Sequence, residues 1–160
     1  MGIALWLLLL SGAWGGRCGN ATAEGVLERV GGVYRGLIVT ARGDVVKEIA
    51  YFLTEPVRIE VIRSGCDAVH ETYHFDVITD PGLDPDGYRA RAMSWLEQMI
   101  YKDGAAHHRD QILRALARAT PAQRASGRIL APDGGRVSVE VRPSPRPERT
   151  RVTVQYEAAG

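Results

Sequence analysis

Residues 68–79, AVHETYHFDVIT, decide the fold of this 160-residue chain. Val69, Tyr73, Phe75 and Val77 occupy alternate positions, and mostly polar side chains lie between them. Alternation with a period of two is typical of a β-strand that has one buried face. Glu71 does not fit this pattern, because it falls among the apolar positions. The stretch therefore predicts a strand that carries one carboxylate on its buried side.

The same stretch contains His70, Glu71 and His74 in the HExxH spacing, and these five residues resemble the motif of zinc metalloproteases. In that motif a helix brings both histidines to one metal, and the Glu activates a water molecule. On a strand the two histidines lie about 13 Å apart, at ~3.3 Å per residue. Zinc–nitrogen bonds are only about 2 Å long. We therefore expect no metal or cofactor in this segment.

Turn residues separate further strand patterns before this stretch, at 33–41, 45–53 and 57–63. The pattern at 45–53 also allows a short helix capped by Asp44. Asp84 and Pro85 then open a helix that continues to Gly104, and a second helix extends from about His107 to Ala119. Strand patterns return at 127–131, 136–141 and 151–156, with a Pro-Asp-Gly-Gly turn after the first of them.

This order predicts the α+β class, with an antiparallel β-sheet built as strand meander, two helices, strand meander. We expect both helices to pack on one face of the sheet. A single α+β domain should cover 33–157, preceded by an N-terminal segment at 16–32. Tyr51, Tyr73, Phe75 and Trp95 are expected in the core rather than in a ligand cage.

The first 15 residues have the features of a signal peptide. The apolar run IALWLLLL (3–10) is followed by small residues and is shorter than the roughly 20 residues that span a bilayer. Cleavage after Gly15 would retain Cys18, and cleavage after Ala23 would remove it. We expect an exported chain, periplasmic or secreted, without a stable membrane span after signal cleavage.

Charge is unevenly distributed, although the formal net charge is only +1 and favours no nucleic-acid partner. Residues 107–151 contain ten Arg and four acidic residues. Arg109, Arg114 and Arg118 line the outer side of the second helix in the predicted pattern. We interpret them as a binding surface for an acidic protein partner.

No catalytic constellation emerges from the sequence. Cys66 and His70 could serve as a nucleophile and a base, but four residues on a strand separate them. The favoured function is therefore a small exported binding protein that acts on another protein, as inhibitors and immunity proteins do, without catalytic activity. The alternative is a zinc-dependent hydrolase that uses His70, Glu71 and His74, with His107 or His108 as the third ligand.

We predict that the mature protein begins at Gly16 and contains a Cys18–Cys66 disulfide, because paired cysteines persist in oxidising compartments. The closed loop would stabilise the fold by about 4 kcal/mol in chain-entropy terms. Intact-mass measurement with and without reduction, together with N-terminal sequencing, checks this. A mature start at Glu24, or two free thiols after native purification, would contradict it.

Overall fold

The computed structural model describes residues 25–29, 32–65 and 69–159. The predicted signal peptide (1–15) and both cysteines of the predicted disulfide, Cys18 and Cys66, lie outside these residues.

The described chain forms a seven-stranded antiparallel sheet with helices inserted between its two groups of strands, which confirms the α+β class. The sheet order is β1-β2-β3-β4-β7-β6-β5. The elements in chain order are β1 (Tyr34–Arg42), β2 (Val45–Phe52), β3 (Arg58–Ser64), β4 (His70–Ile78), α1 (Pro85–Gln98), α2 (His107–Arg118), α3 (Pro121–Ser126), β5 (Ile129–Leu130), β6 (Arg136–Pro143) and β7 (Arg149–Glu157).

The HETYH segment is a strand, as its alternation predicts, and it lies near the middle of the sheet. β4 pairs with β3 on one side and with β7 on the other. Tyr73 and Phe75 are fully buried on one face, whereas His70 is exposed and His74 is half-buried on the other. The two histidines therefore share a face that Glu71 does not.

Apolar side chains of the helices belong to the same core as Tyr73 and Phe75 of β4. The Phe75 and Trp95 rings lie 5.3 Å apart between their centroids. Trp95 also donates its Nε1–H to Glu55 at 2.9 Å, so its polar group is satisfied. Buried residues of α2 include Ile112, Ala115 and Leu116. None of the helices in the described part of the chain is long and apolar enough to cross a membrane.

The segment at 45–53, for which a short helix was the alternative, is a strand, β2. Two other features differ from the sequence expectation. α1 ends at Gln98 rather than near Gly104, because the chain becomes extended at Met99 and pairs with the N-terminal segment. A third helix, α3, follows α2 directly, since Thr120 and Gln123 form a capping box and Pro121 stands at the first helical position.

The N-terminal segment is held inside the fold by Glu48. The Glu48 carboxylate accepts the backbone N–H groups of Val26 at 2.7 Å and Leu27 at 3.0 Å. Both residues are 2% exposed and belong to the core. The segment also exchanges backbone hydrogen bonds with Ile100 and Lys102. A side chain at Gly25 would collide with the Glu48 carboxylate and would have to displace it from its hydrogen bonds to Val26 and Leu27.

The opposite face of the sheet carries a network of ion pairs. Asp76 is fully buried and accepts two hydrogen bonds from Arg151, at 2.7 and 2.9 Å, and one from Ser144 at 3.0 Å. Arg58 lies between Asp76 and Glu60, at 3.3 and 2.6 Å. Burial alone would raise the pKa of Asp76, but the hydrogen bonds from Arg151 and Ser144 and the charge of Arg58 hold it below its usual value.

We predict that Phe75→Ala destabilises the fold by about 3–5 kcal/mol, because it opens a cavity beside Trp95 in the centre of the core. His70→Ala, on the same strand, should change the free energy of unfolding by less than about 1 kcal/mol, because His70 is exposed. Urea unfolding of both variants measures the difference. Equal losses from the two substitutions would contradict the assignment of faces.

Candidate functional site

Glu71 is the centre of a buried polar cluster. It occupies the apolar face of β4 and is 1% exposed. Its Oε2 accepts a hydrogen bond from the Tyr73 hydroxyl at 2.6 Å. Its Oε1 lies 2.7 Å from Arg63 Nε on β3 and 3.0 Å from His108 Nδ1 on α2. The pairing of Arg63 with Glu71 across β3 and β4 brings these two side chains together.

Contacts through His108 and Tyr156 extend from the Glu71 carboxylate to a second acidic residue, Asp133. Because a carboxylate only accepts hydrogen bonds, the Nδ1 of His108 carries the proton that it shares with Glu71. The His108 ring stacks on Tyr156 with the centroids 5.0 Å apart. The Tyr156 hydroxyl donates to Asp133 at 2.6 Å. The ring of His107 meets His108 edge-on at 5.6 Å.

The cluster stabilises Glu71 in its charged form. Burial alone would raise the pKa of Glu71. The hydrogen bonds from His108 and Tyr73, with the charges of His108 and Arg63, outweigh that effect, so the pKa lies below its usual value. Burial and the nearby Glu71 charge raise the pKa of Tyr73 well above 10, so its hydroxyl stays protonated as a donor.

A carboxylate that fixes the tautomer of a histidine can orient it as a base or as a metal ligand. His108 has the orienting carboxylate of such a site, Glu71, but not the other groups that the site would need. Among the described residues, no hydroxyl or thiol nucleophile is hydrogen-bonded to its ring. No group of three or more His, Cys, Asp and Glu that could hold a metal is found in the ranges 25–29, 32–65 and 69–159.

The residues of the zinc-hydrolase alternative are mostly kept apart. Glu71 and His108 are in contact, but His70 and His74 lie on the opposite face of β4. His74 Nδ1 instead lies 3.0 Å from the Thr153 hydroxyl of β7. His107 lies 3.9 Å from Asp133 through its Nε2. The strand conformation thus separates the two histidines from the carboxylate that HExxH chemistry would require.

Arg109 differs from its expected role as an exposed binding residue. Its side chain is 19% exposed, and its Nε and Nη2 donate to Asp110 at 3.0 and 2.8 Å. Its Nη1 donates to the Met99 carbonyl at 2.8 Å, and its guanidinium lies 4.9 Å from the centre of the Tyr101 ring. The expectation of an exposed Arg109 is therefore wrong, because its position at the start of α2 faces the end of α1.

Arg114 and Arg118 are exposed, as expected, while Ile112 and Leu116 are buried on the other side of α2. Arg124 on α3 and Arg128 after it are also exposed. In the described part of the chain, no carboxylate lies within 4.0 Å of any of these four guanidinium groups.

Sequence reasoning did not find the partners of Glu71. The signal was present, because a carboxylate in an apolar alternation must be buried, and a buried charge requires partners. His108 is a reasonable candidate, since it precedes the buried positions of α2 by one turn. Arg63 gives no comparable signal, because it reads as the ordinary end of a strand.

We predict that Glu71→Gln destabilises the protein at neutral pH by about 3 kcal/mol, since it leaves Arg63 and His108 without the buried charge that they compensate. Because folding lowers the pKa of Glu71, its stabilisation is fully present above about pH 4.5 and is lost as the pH falls through the folded value. The difference between the wild-type and variant free energies of unfolding should therefore shrink in acid.

Glu140→Gln, on β6, is the matched control for this prediction. Glu140 pairs with Arg142 but its side chain is half-exposed, so its loss should have little effect at either pH. Denaturant unfolding of both variants between pH 3 and pH 7 makes the comparison. A loss in Glu71→Gln that stays constant over this range would show that the charge of Glu71 is not what stabilises the cluster.

The described chain thus has two features with distinct chemistry, the enclosed Glu71–His108 pair and the exposed arginines of α2 and α3. The first is covered by protein on most sides, and the second is open to solvent. No protein-family model matches this chain, and neither a curated protein nor a solved structure matches it.

Proposed function

We propose that this chain is an exported, non-catalytic binding protein that docks an acidic partner protein on the exposed arginines of α2 and α3. The observation that carries the proposal is the set of four exposed guanidinium groups without a carboxylate within 4.0 Å among the described residues. These are Arg114 and Arg118 of α2, Arg124 of α3, and Arg128, which follows α3.

The density of arginines supports this choice of surface, because residues 114–128 contain four arginines and no acidic residue. Arg58, Arg63, Arg109 and Arg151, in contrast, each contact a carboxylate of the same chain. A guanidinium that already has a carboxylate partner contributes little attraction for a second molecule. Arg114, Arg118 and Arg128 keep their fork of donors available, and this fork matches the geometry of a carboxylate. Arg124 keeps only its Nη donors, because its Nε donates to the Ala119 carbonyl.

The packing of α2 supports an outward orientation of Arg114 and Arg118. We infer that both long helices cover the same face of the sheet, because Glu71 and Phe75 lie on one face of β4 and contact His108 of α2 and Trp95 of α1, respectively. Helices in this arrangement turn their buried sides to the sheet, and the polar side of α2 is left for a partner.

Export is part of the same proposal and rests on the apolar segment at 3–10 and the small residues that follow it. An exported protein that acts through a charged surface would meet its partner outside the cytoplasm. Complementary charge would then speed the encounter of the two proteins and make the association rate sensitive to salt.

We predict that the double substitution Arg114→Glu and Arg118→Glu weakens partner binding by at least about tenfold and flattens its dependence on salt. The partner is first captured from the native host by cross-linking to the wild-type protein and is then purified. Its affinity for each variant is measured by calorimetry at low and high ionic strength. Circular dichroism shows whether the variants keep the fold.

Arg42→Glu is the matched control, because Arg42 is equally exposed but lies on β1, at the opposite edge of the sheet from β5. This variant should bind the partner with wild-type affinity. Wild-type affinity in the Arg114→Glu, Arg118→Glu variant, with the fold intact, would refute the proposed binding surface.

A further inference from the structure

A groove of about 640 Å³ lies between the helices and the second group of strands, separate from the Glu71–His108 cluster. This volume is within the range of about 300–1,000 Å³ that is typical of small-molecule sites. Its walls are almost entirely apolar and include Ala92, Met93, Leu116, Ala117, Ile129 and Val139. Alanines of both long helices face the groove, and their small side chains leave the space unfilled.

Two arginines contribute to the lining of this otherwise apolar groove. Arg89 of α1 pairs with Asp86 through Nη1 at 2.6 Å, but its buried Nε has no hydrogen-bond partner among the described residues. Arg124 of α3 donates its Nε to the Ala119 carbonyl at 3.1 Å, and no carboxylate in the described chain lies within 4.0 Å of it. Two guanidinium groups and one carboxylate thus leave a net positive charge at the groove.

Arg89 and Arg124 each keep guanidinium donors that no group of the described chain uses, since Arg89 bonds only through Nη1 and Arg124 only through Nε. The Arg89 side chain is 32% exposed and lines the groove. An acceptor with negative charge would satisfy Arg89 and Arg124 and would add charge-assisted hydrogen bonds. The apolar walls require that the rest of the same molecule be hydrocarbon.

We propose that this groove binds a long-chain carboxylate, the chemical class of the fatty acids. The hydrocarbon chain lies among Met93, Leu116 and Val139, and the carboxylate meets the guanidinium groups of Arg89 and Arg124. A small polar anion would leave the apolar walls without contacts. A neutral or cationic amphiphile would leave the arginines without an acceptor. The groove shares Arg124 with the partner surface proposed above, but Arg114 and Arg118, which test that surface, do not line the groove.

The experiment titrates the purified protein by calorimetry with dodecanoate and dodecyltrimethylammonium below their micelle concentrations and with dodecanol below its solubility limit. Dodecanoate should bind in a one-to-one ratio, and the other two should bind at least about tenfold more weakly. Arg89→Gln and Arg124→Gln should each weaken dodecanoate binding by about tenfold. Asp86→Asn should tighten it, because it releases Arg89 from its intramolecular pair.

Two further variants distinguish dodecanoate binding in the groove from binding through the charge of the protein surface. Ala117→Trp places a large ring in the groove from an exposed helical position and should abolish dodecanoate binding while the protein stays folded. Arg118→Gln removes the same charge from the adjacent residue, which does not line the groove, and should leave dodecanoate binding unchanged. Thermal unfolding establishes that each variant is folded.

Several results would overturn the proposal. They are equal affinity for dodecanoate and dodecyltrimethylammonium, unchanged binding in Arg89→Gln and Arg124→Gln, or unchanged binding in Ala117→Trp. Absence of dodecanoate binding to the folded wild-type protein would overturn it as well. Loss of dodecanoate binding in Arg118→Gln would assign the effect to surface charge instead of the groove. None of these results bears on partner docking, which is measured with Arg114 and Arg118 reversed.

Discussion

The pairing of β4 with β7 is the interaction on which the rest of the structure depends. β1 to β4 form one run of neighbouring strands, and β5 to β7 form another. Nine residue pairs from His70–Glu157 to Ile78–Arg149 join the two runs into one sheet. Without this junction the buried apolar side chains of the two runs would not share one core. Forming the β4–β7 pair brings together residues about 75 positions apart in the chain, such as Asp76 and Arg151. Closing a loop of this length costs conformational entropy.

Both faces of that junction carry a carboxylate in a defined environment. Glu71 meets Arg63, Tyr73 and His108 on one face, and Asp76 meets Arg151 and Arg58 on the other. A shift of one residue in register would move every β4 side chain to the wrong face. Each carboxylate would then lose its partners and face an environment that does not stabilise its charge. The two acids therefore favour a single register more strongly than apolar side chains alone would.

Periodicity was sufficient to predict the strands and the two long helices, because a buried face imposes the period on the sequence itself. The strand assignment of the HETYH segment follows from Val69, Tyr73, Phe75 and Val77 in this way. The early end of α1 at Met99 and the inward position of Arg109 could not be predicted, since both depend on contacts between distant segments. The partners of Glu71 are tertiary for the same reason. The apolar groove could not be predicted either. It forms where alanines of two different helices leave space, and the sequence pattern of one helix does not show such a gap.

The burial of Val26 and Leu27 has a consequence for the order of events during synthesis. Their backbone groups bind Glu48 and residues 100–102, so the binding site of the first described segment is incomplete until residue 102 has been made. Ribosomes synthesise the segment early, yet it can dock only after α1 is complete. Docking closes the long loop between this segment and residues 100–102. The nascent chain loses that conformational entropy only late in its synthesis. The segment that contains Val26 and Leu27 thus remains undocked until β1 to β4 and α1 have been synthesised, and its backbone N–H groups lack these partners throughout that interval.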